Sequence, residues 1–163
     1  EPNRWTFPAS SIVHMTFDQV HQQEMPLELH WHDGGEKPPV DLEGRLPANG
    51  VMVHGERARM FIPDYGGMPR LLGDPAVWSG DLPDVPGHHQ GWINACHQGS
   101  QPPCDFSYAA RLTEICLLGN LSLRSGRNFR WDRQAGRIVN EPTLNPLLSR
   151  QRRPGWELPV VNR

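Results

Sequence analysis

The order of short segments set off by turn residues most constrains the fold of this chain. Two pairs of strand-like segments come first: Ser10–Phe17 with Pro26–His32, and Val51–His54 with Arg59–Pro63. Alternating apolar and polar side chains are typical of half-buried β-strands, and Gly55–Ala58 between the second pair predicts a hairpin. Helical segments appear only later in the sequence. This order predicts an α+β fold with an open, mostly antiparallel β-sheet and helices packed on one face.

Two helices are predicted in the second half of the chain. The first runs over about 88–97 and is ended by Gly99. The second begins near Asp105 or Ser107, either of which can cap it, and runs to Gly126. Apolar residues cover most of the circumference of this second helix, so the sequence predicts that it is largely buried.

The remaining segments are less regular. From Asp64 to Gly87 there is little periodicity and much glycine and proline, which predicts a long loop, and long loops are often functional. Phe129–Trp131 and Arg137–Val139 are expected to form a final hairpin. Pro142–Ser149 is expected to form a short helix, followed by an irregular tail rich in arginine.

Length and composition exclude several classes of protein. The chain has 163 residues, the size of one domain, with 16 glycines and 17 prolines that predict many turns. Its net charge of −2 does not favour nucleic-acid binding. No apolar run approaches the ~18 residues that a membrane span needs. The three cysteines, an odd number without a C-x-x-C pair, predict free, buried thiols.

The first residues, EPNRWTFPASS, include neither a Met nor a secretory signal peptide. We therefore expect an internal piece of a longer protein, with residues 1–163 as one domain. The compartment stays open: cytoplasmic or, if an export signal lies upstream, periplasmic.

The segment PGHHQGWINACHQG, residues 86–99, raises the question of a chemical site. His88 and His89 cannot readily hold one metal ion from a regular helix, because adjacent residues point about 100° apart. His30 and His32 share one strand face but lack a third ligand nearby in sequence, so no metal site is predicted. No G-x-S-x-G turn, no Cys-His signature and no dinucleotide-binding glycine motif is present.

Two interpretations of the histidine pair His88 and His89 remain open. At the start of a helix the first backbone amides are free, and two imidazoles there can hydrogen-bond the hydroxyl groups of a ligand. The alternative is that one histidine only caps the helix. Arg150, Arg152 and Arg153 form a small basic cluster, which we interpret as a solvated surface.

Several motifs carry a resemblance to a known family. They are LHWHDGG (29–35), LPANG (46–50), YGGMPRLL (65–72), PGHHQGWI (86–93), LTEICLLGN (112–120) and RPGWEL (153–158). In this order they resemble the C-terminal domain of the glucose–fructose oxidoreductase, inositol dehydrogenase and rhizopine-catabolism (Gfo/Idh/MocA) family, in a branch common in planctomycetes and Bacteroidetes. The resemblance covers nearly the whole chain.

The resemblance implies a two-domain oxidoreductase in which this chain is the substrate-side and oligomerisation domain. NAD or NADP would be bound by a Rossmann domain absent from this chain, so no cofactor is expected here. The substrate would be a sugar or polyol, and the sheet would mediate a homodimer or tetramer. The family's catalytic lysine belongs to the absent half, and Glu36-Lys37-Pro38 matches its E-K-P motif only by coincidence.

We expect five residues to shape the substrate pocket: Trp31, Tyr65, Arg70, His88 and His89. Trp31 could instead be a core residue, and Arg70 could anchor a loop through a salt bridge. Two departures from relatives leave the substrate open: Gln90-Gly91 precedes Trp92 where an acidic residue is common, and His30 and His32 flank Trp31. An NAD-dependent glycosidase or lyase acting by transient oxidation, and a stand-alone dimerisation or sugar-binding module, are the alternatives.

Overall fold

The computed structural model describes residues 6–18, 26–39, 47–64, 67–73 and 85–157. Within these ranges the chain forms seven strands, two α-helices and one 3₁₀ helix, and the strands pair in three small antiparallel sheets. Helices combined with antiparallel sheets confirm the α+β class. A single open sheet with helices on one face is not confirmed, because the described strands are divided among three sheets.

The chain divides into two compact units. Glu1–Gly34 together with Arg111–Arg163 forms what we call the terminal unit, and Gly35–Ala110 forms the central unit. The long helix α2, Phe106–Ser125, begins in the central unit and continues in the terminal unit. The single domain expected over residues 1–163 stays a prediction.

In the terminal unit, β1 (Ser11–Phe17) pairs antiparallel with β2 (Leu27–Asp33). Val13 of β1 is buried and lies opposite Trp31. Helix α2 lies close to this face at Gly119, where an added Cβ would stand 2.8 Å from the Met15 Cε and 3.8 Å from the Val13 Cγ1. A glycine on the helix therefore allows the close approach of helix and strand.

A second hairpin completes the terminal unit. Strands β6 (Trp131–Asp132) and β7 (Arg137–Ile138) pair around a tight turn, and a 3₁₀ helix follows at Pro142–Leu148. Ile138 is only 1% exposed, and Leu144 of the 3₁₀ helix is also buried. These two residues form the core at this end of the unit.

The sheet of the central unit has three strands in the order β3–β4–β5: Gly50–His54, Arg59–Pro63 and Arg70–Leu72. Phe61 in the middle strand is its buried core residue. The strand β5 falls inside the segment predicted to be a long loop, so that prediction is wrong at this point. Three residues are too few for a periodicity to appear in sequence, and only pairing with β4 shows the strand.

Both predicted helices are present, with the predicted glycines at their ends. Helix α1 spans His88–Gln98, and Gly99 after it has the left-handed conformation with φ 64°. Gly126 follows α2 with φ 63°. Left-handed backbone at the residue after a helix favours glycine, since a side chain there is strained.

Asp105 provides the cap of α2. Its Oδ1 accepts hydrogen bonds from the Ser107 hydroxyl at 2.5 Å and from the Tyr108 backbone amide at 2.9 Å, and its other oxygen accepts from the Gln101 amide group. These donors stabilise the carboxylate and lower the pKa of Asp105 to about 2, with the Ser107 hydroxyl contributing most. The cap that the sequence placed at Asp105 or Ser107 is thus Asp105.

Helix α2 is more exposed than its composition predicts. Leu112 is 54% and Leu117 60% exposed, and Gly119 is the helix's one buried residue. The prediction of a largely buried helix is therefore wrong, because the remaining apolar residues, Ile115, Leu118, Leu121 and Leu123, are only partly buried. No helix in the described part of the chain is long and apolar enough to cross a membrane.

The cysteines also differ from expectation. Cys96, Cys104 and Cys116 all lie within the described residues, and each is a free thiol, as predicted. All three side chains are exposed, so the prediction that they are buried is wrong. The fully buried residues of the helices that carry Cys96 and Cys116 are Gly91, Ala95 and Gly119, so neither cysteine occupies a buried position.

Candidate functional site

The start of α1 brings the two predicted histidines together. The His88 and His89 rings have centroids 4.0 Å apart, tilted by 43°, and both side chains are exposed. The residue before the helix is Gly87, and no side chain caps the helix start. The first α1 hydrogen bond runs from the Gly91 amide to the Gly87 carbonyl at 2.9 Å. The histidines therefore do not act as caps.

Trp92 lies beside this pair on the helix surface. It follows His88 by four residues and His89 by three, and residues at these spacings are neighbours on an α-helix. Trp92 is 60% exposed, so much of the indole surface is open. Two imidazoles and an exposed indole together offer hydrogen-bonding nitrogens next to an apolar ring face.

The buried positions of α1 are occupied by small residues. Gly91 and Ala95, one turn apart, are its buried residues. An added Cβ on Gly91 would stand 3.7 Å from the Pro103 ring and 3.9 Å from the Pro86 ring, so the helix rests on prolines at this position. Burial of α1 is thus confined to these two small residues, and Trp92 remains exposed.

Arg70 is the first residue of β5, next to Phe61 of β4 in the register of the sheet. Its guanidinium carbon lies 5.8 Å from the centroid of the Phe61 ring, within the range of a cation–π contact. No ion pair of Arg70 occurs among the described residues. A buried ring therefore positions the exposed guanidinium, rather than the loop-anchoring salt bridge considered from the sequence.

Trp31 belongs to the terminal unit, whereas the α1 histidines and Arg70 belong to the central unit. Trp31 is 50% exposed, although its strand partner Val13 is buried. Trp31 is therefore not a buried core residue, and its role in substrate binding stays a prediction. Tyr65 lies outside the described residues.

The histidines of the β1–β2 hairpin form a different arrangement from the one considered for metal binding. His30 lies opposite His14, with ring centroids 4.4 Å apart in an edge-to-face contact, and its Nε2 is 3.4 Å from the Glu28 carboxylate. His32 lies opposite Ile12. Among the described residues, no group of three His, Cys, Asp or Glu side chains is arranged to hold a metal ion.

Lys37 of the E-K-P sequence has a structural role in the central unit. Its Nζ donates hydrogen bonds to the carbonyl oxygens of Pro47 at 2.9 Å and of Ala48 at 2.6 Å. These contacts join positions that lie 10 and 11 residues apart in the sequence. The interpretation of this triplet as a coincidental match stays a prediction.

Trp92 is the residue that sequence reasoning left out of the candidate site. The signal was available, because its spacing from both histidines places it on the same side of a predicted helix. What the sequence could not give was its exposure, since a tryptophan at helical spacing packs equally well into a core.

Comparisons with protein-family models and with curated proteins find no match to this chain. The functional interpretation therefore depends on the residues described above and on the resemblance carried by the sequence motifs.

Proposed function

We propose that this chain is the substrate-side and oligomerisation domain of an NAD(P)-dependent oxidoreductase that acts on a sugar, polyol or sugar derivative. The observation that most supports the proposal is the α1 surface, where His88, His89 and Trp92 are exposed side by side. A sugar carries hydroxyl groups around its rim and C–H groups on its faces. Imidazole nitrogens can donate to and accept from the hydroxyls, while an indole packs against the apolar face.

Trp31, Tyr65 and Arg70 complete the proposed set of substrate-binding residues. Arg70 is exposed, and its guanidinium carries several donors in a rigid plane that suits hydroxyl or carboxylate oxygens. Trp31 offers a second half-exposed indole. Tyr65 enters the proposal on the motif resemblance alone.

The residues of this chain do not fit a nicotinamide dinucleotide. Such cofactors bind where a glycine-rich turn leads from a strand into a helix, and the sequence contains no G-x-G-x-x-G motif. We therefore assign NAD or NADP to a Rossmann domain of a longer protein and no cofactor to this chain. Proton and hydride transfer would be carried out there and are not assigned to residues of this chain.

One face of the three-stranded sheet supports the oligomerisation part of the proposal. Directly opposed residues share a sheet face, so the register places five apolar side chains on one side: Val51, Val53, Met60, Ile62 and Leu71. None of the five is buried, and Val51 is 53% exposed. An apolar face of this kind is typical of surfaces that bind protein, here a second copy in a homodimer or tetramer.

The test is an activity assay on the protein expressed from its complete reading frame. We expect reduction of NAD or NADP with at least one member of a panel of sugars and polyols, followed by nicotinamide absorbance. Analysis of the products separates oxidation from elimination, the chemistry of the glycosidase alternative. A reading frame without a dinucleotide-binding domain would overturn the oxidoreductase assignment and favour a stand-alone binding module.

A further inference from the structure

The arginine-rich segment after the 3₁₀ helix lines a cavity that the proposed function does not use. The cavity is a shallow pocket open to solvent, with a volume of about 400 Å³, and it is lined by Arg150, Gln151, Arg152, Arg153 and Trp156. All of these residues belong to the terminal unit. A volume of this size lies within the range of pockets that bind small molecules.

The described residues around this cavity do not compensate its charge. Among the described residues, no carboxylate forms an ion pair with any of the three arginines. The nearest acidic residue in sequence, Glu157, accepts a hydrogen bond from the Gly155 backbone amide at 3.1 Å instead. By contrast, Arg127 of the same unit donates to the Glu141 carboxylate at 2.8 Å. Three guanidinium groups within four residues therefore leave a local positive charge in a chain whose net charge is negative.

The segment is held in shape by its own turn. The Trp156 backbone amide donates to the Arg153 carbonyl at 3.0 Å, across a turn at Pro154 and Gly155. Gly155 has φ 84°, in the region that favours glycine. The turn returns the chain on itself and places the Arg153 guanidinium 4.8 Å from the Trp156 ring. Trp156 remains 66% exposed, so the indole offers open surface beside the charges.

We propose that this cavity, lined by Arg150, Arg152, Arg153 and Trp156, binds a sugar that carries an oxyanion, either a sugar acid or a sugar phosphate. Guanidinium groups bind carboxylate and phosphate oxygens through two parallel hydrogen bonds, which favours these anions over neutral ligands. The indole provides the apolar surface for the ring. The negative net charge of the chain argues against an extended polyanion such as nucleic acid.

This inference depends on the proposed function only in taking the ligand to be a sugar, and it concerns residues away from α1. The experiment is calorimetric titration of the full 163-residue chain with glucuronate, glucose 6-phosphate, glucose and inorganic phosphate. We expect at least one of the two anionic sugars to bind about tenfold or more tightly than glucose. We also expect it to bind more tightly than inorganic phosphate, because only the sugar can use the indole. Glucuronate and glucose 6-phosphate distinguish a carboxylate from a phosphate ligand.

Variants assign the binding to the cavity. Arg152→Gln and Arg150→Gln should each remove most of the preference for the anionic sugar, with folding checked by circular dichroism. Arg133→Gln, an exposed arginine in the β6–β7 turn, is the matched control and should keep the preference.

Three results would overturn the proposal. The first is equal affinity for glucose and both anionic sugars, and the second is equal affinity for inorganic phosphate and glucose 6-phosphate without any binding of glucuronate. The third is an unchanged preference for the anionic sugar in folded Arg150→Gln and Arg152→Gln. None of these results depends on nicotinamide activity. Failure of the cavity proposal is therefore distinguishable from failure of the oxidoreductase assignment.

Discussion

The Asn145 side chain pairs with both backbone polar groups of Ile138, as a neighbouring strand would. Its Oδ1 accepts from the Ile138 amide at 2.8 Å, and its Nδ2 donates to the Ile138 carbonyl at 2.9 Å. A third hydrogen bond runs from the same Nδ2 to the Pro142 carbonyl at 3.2 Å. One side chain of the 3₁₀ helix thus satisfies the backbone of the most buried residue described in the chain, which would otherwise lose its partners.

Replacing this side chain should destabilise the terminal unit. We expect Asn145→Ala to lower the free energy of unfolding by about 2 kcal/mol, because the Ile138 amide and carbonyl are left without partners away from water. Thr143→Ala, at an exposed position of the same 3₁₀ helix, should stay within about 0.5 kcal/mol of the wild type. Urea unfolding measures the free energy of unfolding of both variants. Equal stability of the two variants would contradict the role assigned to Asn145.

Two adjacent glycines after β2, Gly34 and Gly35, give a second prediction, in which one variant serves as the control for the other. Both have positive φ, 68° at Gly34 and 91° at Gly35. A Cβ at Gly34 would stand 2.0 Å from the Ala9 carbonyl oxygen, whereas a Cβ at Gly35 meets none of the described atoms within 4 Å. Gly35→Ala should therefore cost about 1–2 kcal/mol from backbone strain alone.

Gly34→Ala should cost clearly more than Gly35→Ala, because the backbone of Ala9 has to move as well. Thermal unfolding followed by circular dichroism compares the two variants directly. A smaller loss of melting temperature in Gly34→Ala than in Gly35→Ala would show that Ala9 does not lie where the structure places it.

The cap of α2 predicts a pH dependence. Asp105 has a folded-state pKa of about 2, below its ordinary value of 3.8. A group whose pKa is lowered on folding stabilises the protein above the unfolded pKa, and this contribution is lost as the pH falls through the folded pKa. The contribution of Asp105 should thus be complete near neutral pH and disappear between about pH 4 and pH 2.

Asp105→Asn tests the pH dependence, since asparagine also caps helices but does not ionise. As the pH is lowered from about 4 to about 2, we expect the melting temperature of the wild type to fall more than that of Asp105→Asn. If the difference in melting temperature between wild type and Asp105→Asn stays constant with pH, the Asp105 carboxylate is not the source of a pH-dependent stability.

How much of this fold follows from sequence depends on the length of each element. Strand β4 was predicted with its observed bounds, Arg59–Pro63, because the turn residues on one side and the proline on the other define it. The start and end of α2 could also be predicted, because Asp105 caps the start of the helix and Gly126 follows its end. Strand β5 did not follow, because a three-residue strand is defined by its partner and not by its own pattern.

Burial was harder to predict than secondary structure. The apolar residues of α2 predict a buried helix, but exposure depends on what is packed against it, and Leu112 and Leu117 remain exposed. The same limit applied to the candidate site. The histidine pair could be named from sequence, whereas the availability of Trp92 required a structure in which Gly91 turns inward.

The apolar face of the three-stranded sheet predicts self-association. Val53→Asp places a charge on this face, directly opposite Met60, where a bound second copy would bury it at a large cost. We expect the variant to sediment as a smaller species than the wild type in analytical ultracentrifugation. Arg57→Asp, in the exposed turn of the same hairpin, changes charge away from this face and should leave the assembly intact. A monomeric wild type would contradict the prediction.

The central claim is that the exposed side of α1 contacts a sugar or polyol substrate. Steady-state kinetics of His88→Ala, His89→Ala and Trp92→Leu, made in the protein expressed from its complete reading frame, test it most directly. Each contact should contribute on the order of 1.4 kcal/mol, so we expect kcat/KM to fall about tenfold in each variant with folding unchanged. Gln98→Ala, in the last turn of the same helix, should match the wild type. Wild-type kinetics in all three folded variants would contradict the claim.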